Sequence, residues 1–217
     1  MIPTGPVTRS GTMPTKRRAN FDATRHRIVR QATQCFAEKS YHSTSICEIS
    51  RKGCFSKETI YRHFPDKHAL LGSVLAHYAW RCRFPVHSTL SAIGTHPALQ
   101  WVSLAHQIDV WSDANHVSAF YRLVNSTLNE YPAGGILFWN SVYSRVRQVI
   151  KIVLVCNGLP SKPTEFSEMA ADQILTLLLD SRRWWYPEIL IRRPGYDGLR
   201  LRLLASIIDE VLVTSLQ

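Results

Sequence analysis

Lys57, Thr59, Tyr61, Arg62 and His63 lie within seven residues of one another, and every one carries a hydrogen-bond donor. Nothing around them suggests covalent chemistry. The chain contains no H-E-x-x-H, G-x-S-x-G, P-loop or G-x-G-x-x-G, and no Cys/His pair has local support. Donors without a nucleophile suit recognition of an anion, and on a short helix they suit the phosphates and base edges of a DNA major groove.

The surrounding pattern explains how such donors would be held. Ser45 followed by Glu48 reads as a capping box that opens one short helix. Gly53 and Cys54 interrupt it, and Ser56 caps a second helix running to Phe64. Ile46, Ile49, Phe55, Ile60 and Phe64 supply an apolar face, so the donors fall on the opposite one. Upstream, Asp22 is expected to cap a helix reaching about Lys39, with Ile28, Ala32, Cys35 and Phe36 as its buried stripe. Downstream, Pro65-Asp66 breaks and recaps the chain, and a fourth helix is expected from Lys67 to about Phe84. Residues 21–68 thus read as a helix-turn-helix domain. Residues 1–20, ending in Lys16-Arg17-Arg18, read as a disordered basic arm.

Charge follows the same division. Residues 1–68 carry 13 Lys/Arg against 5 Asp/Glu, and residues 69–217 carry 13 against 11. Most of the +10 net charge therefore sits with the helix-turn-helix, where double-stranded DNA would meet it. No apolar run reaches the 18 or so residues of a membrane span. The cysteines (Cys35, Cys47, Cys54, Cys82, Cys156) are five in number, scattered and without a C-x-x-C pair, which points to a reducing compartment. A cytoplasmic protein with no membrane partner is expected.

Residues 69–217 read as helical wherever a period is legible, in the segments 98–111, 114–130, 136–156, 166–183 and 199–216. The fold class is all-α: a three-helix DNA-binding unit and a larger helical domain. Trp80, Trp101, Trp111, Tyr121, Trp139 and Tyr143 are candidates to line an apolar effector cavity, with His106 and Asn125 to orient a ligand. The competing role for each aromatic is core packing. Trp184-Trp185-Tyr186 reads as packing or dimer contact. His106, Asp109, Asp113 and His116 would share a face only if one helix ran through all four, and Ser112-Asp113 reads as a helix start that breaks it. No metal or cofactor is expected.

The stretch Ile28 to Leu75 resembles the DNA-binding domain of TetR-family transcriptional repressors. The resemblance is carried by Ala32, Phe36-Ala37-Glu38, Thr44-Ser45, Glu48-Ile49 and Ser56-Lys57, then Thr59 to Phe64, Asp66-Lys67 and Ala69-Leu70-Leu71. It implies that Lys57 and Thr59 approach base edges, while Tyr61, His63 and Lys67 grip phosphates, with Thr44 and Ser56 doing so at helix starts. Arg62 is left between a guanine contact and a phosphate contact. The family usually places glycine where this chain has Cys54. Either Cys54 bears a positive φ with strain, or Gly53 shifts the turn by a residue. Residues 115–215 resemble, with fewer motifs, the ligand-binding domain of AefR-like members, through Tyr121-Arg122-Leu123-Val124, Glu130-Tyr131-Pro132, Phe138 and Asn157-Gly158. That implies a homodimer joined by the last two long helices of each subunit. A repressor released from a pseudo-palindromic operator by a small, largely apolar effector is the expectation. An all-α enzyme and a helical protein-interaction adaptor are the alternatives.

Overall fold

A computed structural model describes residues 15–94, 97–157 and 165–180, and among them there are helices and no strand. Its contacts divide the chain into two compact units, residues 1–74 and 75–217.

The first unit holds α1 (Thr15–Lys39), α2 (Ile46–Gly53), α3 (Lys57–His63) and the start of α4 (Lys67–Arg81). Its core is assembled from the expected stripe of Ile28, Ala32, Cys35 and Phe36, to which α2 adds Ile49 and α3 adds Ile60, with Phe64, Leu70, Leu71 and Val74 following. Burying such a side chain is worth about 1.5–3 kcal/mol, so this cluster holds α2 and α3, which at 8 and 7 residues are too short to be helical alone. Helix α1 begins at Thr15, so Asp22 lies inside it and does not cap it. The segment 15–20, expected to be disordered, is its first turn and a half; residues 1–14 lie outside the described part.

The second unit continues with α5 (Val86–Ala92), α6 (Pro97–Ala114), α7 (Val117–Ser126), α8 (Ala133–Phe138), α9 (Ser144–Cys156) and α10 (Glu165–Asp180). Helix α6 runs straight through Ser112-Asp113, contrary to expectation. The chain turns instead at His116, which takes the left-handed conformation with φ 56°. Aromatic packing dominates the core: Tyr78 stacks on Phe120 at 5.4 Å, Phe138 meets Phe120 edge-on at 5.0 Å, and Phe84 meets Trp111 edge-on at 4.9 Å. Cys82 is buried and directs its thiol to the Asn115 carbonyl oxygen at 3.0 Å, and burial pushes its pKa up to about 12.

The expected stripe along 136–156 is interrupted. Residues Trp139–Tyr143 form a π-helical turn between α8 and α9. Wider turns rotate everything upstream relative to a 3.6-residue repeat. Val142, Val146, Val149, Ile150 and Val153 stay in the core, while Ile136 and Trp139, on the same nominal stripe, are 64 % and 49 % exposed. Helix α10 is tied to α9 by Arg147, which donates to Asp172 Oδ1 at 2.5 Å and Glu168 Oε2 at 2.6 Å, and by Lys151, which also pairs with Glu168. The expected helix 199–216 and Trp184-Trp185-Tyr186 lie outside the described residues.

Candidate nucleic-acid interface

The site starts from local capping. Ser45 Oγ accepts the Glu48 N–H at 3.1 Å, and Ser56 Oγ accepts the Thr59 N–H at 3.1 Å, so both helices of the motif open where expected. Asp66 Oδ1 likewise accepts the Ala69 N–H at 2.7 Å and opens α4. The Glu48 carboxylate does not complete the box. It pairs with Lys39 Nζ of α1 at 2.6 Å, and hydrogen bonding from Lys39 is the main cause that holds its pKa below the usual carboxylate range. Lys52 of α2 reaches back to Glu38 at 2.5 Å, so two ion pairs brace α2 on α1.

In the turn between α2 and α3 it is Cys54, not Gly53, that enters the left-handed region. Cys54 takes φ 54°, ψ 43°, and its N–H together with that of Phe55 closes on the Ser50 carbonyl. Gly53 stays helical, and its requirement is space: a Cβ there would lie 2.3 Å from the Phe55 ring. The strained alternative is the one adopted, with Phe55 held over Gly53 and beneath the Arg27 guanidinium at 5.2 Å.

These supports create a cleft of about 500 Å³ lined by His42, Ser43, Thr44, Ser45, Ile46, Cys47, Lys57, Tyr61 and Lys67. Tyr61 is 50 % exposed, and Lys57 stands at the first position of α3. Lys67 is held over the Tyr41 ring at 4.2 Å, and partial burial lowers its pKa. Two ammonium groups and a phenol therefore share one concave surface beside the N-terminal end of α2, a surface suited to an anionic oxygen.

Among the other anticipated residues, Thr44 keeps its hydroxyl for the chain's own backbone. It is 1 % exposed, and its hydroxyl donates to the Ser40 carbonyl at 2.7 Å, closing the end of α1 where Ser40 adopts φ 75°. Thr44 serves the turn. The Ser56 hydroxyl is engaged with the Thr59 N–H and lies 3.0 Å from Thr59 Oγ1, so Thr59 is oriented by its cap. Arg62 is exposed, and His63 is part-buried against α1. Lys57, Tyr61 and Lys67 are brought together, whereas Thr59, Arg62 and His63 do not line the cleft. His42 and Ser43 line it too and escaped the sequence reading. Their signal was a donor-bearing turn immediately before a capped helix.

Of the eight effector candidates, Trp139 and Tyr143 are brought into contact, and Tyr121 and Tyr143 pack on the same Phe138 ring. Trp101, Trp111 and Tyr121 are buried in the core of the second unit, while Trp80 is 76 % exposed and His106 and Asn125 face solvent. Trp139 stacks on Tyr143 at 5.6 Å and lines an open groove of about 660 Å³ with residues of α9. No group of three or more His, Cys, Asp or Glu among the described residues could hold a metal ion.

Fold and cleft together define a helix-turn-helix DNA-binding domain followed by a helical domain. Residues 28–74 match the family model described as bacterial regulatory proteins, TetR family. By this match the chain is similar, over residues 28–74, to the DNA-binding domain of TetR-family transcriptional regulators. It is 45 % identical over 51 residues to the HTH-type transcriptional regulator YuxN of Bacillus subtilis, covering 24 % of this chain and 18 % of that protein. It is 34 % identical over 89 residues to the HTH-type transcriptional repressor Rv3405c of Mycobacterium tuberculosis, covering 41 % of this chain and 45 % of that one. The chain thus spans less than half the length of these curated relatives. The fold extends further. A Mesorhizobium loti protein described as a TetR-family regulator superposes with TM-score 0.69 at 21 % identity, over 88 % of this chain and 97 % of that one. The flavonoid-responsive regulator FrrA superposes with TM-score 0.61 at 19 % identity, over 89 % and 97 %. No described helix is long and apolar enough to cross a membrane.

Proposed function

We propose that the protein is a homodimeric repressor that binds a pseudo-palindromic operator through α2 and α3 and is released by a small, largely apolar effector. The observation that carries this reading is the cleft joining Lys57, Tyr61 and Lys67 beside the N-terminal end of α2. Such a surface holds one backbone phosphate and thereby sets α3, with Lys57, Thr59 and Arg62, against the major groove. His63 stands at the far end of α3 and is assigned a second phosphate. Two copies are required because a single seven-residue helix reads too few base pairs for a specific site. A two-fold dimer reads half-sites about 34–36 Å apart. The relative Rv3405c carries the name repressor, which favours repression over activation here. For the effector, support comes from the half-exposed Trp139 and its groove, and from the neighbour of the same fold that is described as flavonoid-responsive. Small molecules that prefer one dimer geometry shift the spacing of the two motifs and lower DNA affinity by the same coupling energy.

The test is selection of duplexes from a random pool by the full chain, followed by a gel shift and sedimentation. The expected outcome is a palindromic duplex carrying two chains. The double variant Tyr61→Phe, Lys67→Ala should bind it about 10–100-fold more weakly with sedimentation unchanged. Selection of no duplex, or one chain per duplex, would overturn the reading.

A further inference from the structure

Helix α1 extends three turns beyond Ile28, the first of its buried core residues, and two side chains of that extension reach the end of α3. Phe21 packs its ring on the imidazole of His63, with centroids 4.0 Å apart and planes inclined by 37°. One turn on, Arg25 places its guanidinium 4.8 Å above the Phe64 ring and donates from Nη2 to Ser73 Oγ at 2.9 Å. The C-terminal end of α3 is therefore held by α1 at two consecutive residues.

This packing treats the two imidazole nitrogens of His63 differently. Nδ1 is fully enclosed and has no hydrogen-bond partner among the described residues. Nε2 is not enclosed. Placing the proton on Nδ1 would bury an N–H that nothing receives, and orphaned buried N–H groups are rarer than orphaned acceptors. A doubly protonated ring would bury the same N–H and add a charge beside Arg25 of α1 and Arg62 of α3, with Asp22 of α1 the nearby carboxylate. Burial first, and then the two arginines, accordingly hold the His63 pKa below its ordinary value, with Asp22 opposing them. Burying Nδ1 leaves one state that suits the site.

We propose that Phe21 is a positioning residue for operator binding: it fixes His63 as the neutral tautomer protonated on Nε2 and directs that N–H outward, to a DNA phosphate. Phe21 itself touches no DNA. The inference rests on the DNA-binding reading above and adds which proton His63 offers and which residue holds it there. A neutral donor makes its hydrogen bond without displacing a counterion, so this contact contributes affinity and leaves the salt dependence unaltered.

Long-range proton–nitrogen NMR on the full chain at pH 7.5, without DNA, reads the tautomer of His63. Gel shifts on the duplex selected by the wild-type protein then read the consequence. Wild-type His63 should show the neutral Nε2–H form. Phe21→Ala should mix the tautomers and weaken binding about threefold to tenfold with an unchanged salt slope. His63→Gln, whose amide N–H can occupy the Nε2 position, should retain more affinity than His63→Asn. If Phe21→Ala loses its helical circular dichroism, the wild-type tautomer and the Gln/Asn pair decide in its place. Wild-type His63 protonated on Nδ1 or charged, a folded Phe21→Ala that binds like wild type, or Asn outperforming Gln would each overturn the proposal. A wild-type chain that selects no duplex removes the DNA reading and the phosphate partner with it. That failure is separable, because the tautomer is measured in the free protein.

Discussion

Cys54 shows how one residue type can work against the backbone it occupies. An L-residue in the left-handed region pays about 1–2 kcal/mol, and glycine escapes that cost while losing some of the gain to its freer unfolded chain. With φ 54° and an exposed side chain, Cys54 has nothing on the surface to offset the strain. Cys54→Gly should therefore raise stability by about 1 kcal/mol, visible as a higher midpoint in thermal or urea unfolding. The neighbouring glycine should respond in the opposite sense. Gly53 is helical, where alanine is ordinarily preferred, yet a Cβ there meets the Phe55 ring at 2.3 Å and Gln31 Cγ at 3.0 Å. Gly53→Ala should cost about 1–3 kcal/mol by displacing Phe55, and it should weaken DNA binding because Phe55 opens the loop into α3. If Gly53→Ala proved neutral and Cys54→Gly destabilising, the assignment of register at this turn would be wrong.

At the scale of elements, what could be read in the sequence was whatever is decided within about four residues. The starts of α2, α3 and α4 depend on Ser45, Ser56 and Asp66 meeting an N–H three residues ahead, and the structure shows those bonds. The stripe of α1 was legible for the same reason, being a local period. Long-range competition was not legible. Glu48 abandons its own cap for Lys39, Thr44 turns inward to Ser40, and the π-helical turn at Trp139–Tyr143 breaks a period that looked continuous. Short α5, between Pro85 and Gly94, was hidden by the punctuation that bounds it. Aromatic type could not separate buried Trp101 from exposed Trp80, because either role suits a tryptophan until its neighbours are known. One long-range contact carries a pH prediction. Hydrogen bonds from Lys151 and then Arg147 lower the Glu168 pKa, so the folded value lies below the unfolded one. Such a group contributes its stability above the unfolded pKa and loses it as pH falls through the folded value. The docking of α10 on α9 should hold at neutral pH and loosen below about pH 4. Amide exchange across Glu165–Asp180 should accelerate there, and Glu168→Gln should accelerate it already at pH 7 and flatten the acid dependence.

For the whole molecule, the distribution of charge decides how binding must respond to salt. The surplus of eight positive charges in residues 1–68, against two in the remainder, places the attraction for a polyanion in the unit that holds the cleft. Each phosphate neutralised by a lysine or arginine releases counterions and contributes about 0.9 to the slope of log affinity against log salt. A neutral donor contributes nothing to that slope. The cleft contains both kinds, with Lys57 and Lys67 charged and Tyr61 neutral. Because both lysines face the same phosphate, the double variant Lys57→Ala, Lys67→Ala should lower the slope by about 1 per half-site, so by about 2 for a dimer, while weakening every sequence about equally. Tyr61→Phe should weaken binding to a similar degree at low salt and leave the slope where it was. Because Lys67 is also held over Tyr41, Tyr41→Leu should mimic Lys67→Ala only in part, lowering affinity without removing the charge or its share of the slope. A slope unmoved by loss of both lysines would mean that the cleft meets no phosphate, and that the positive surplus acts through residues outside it.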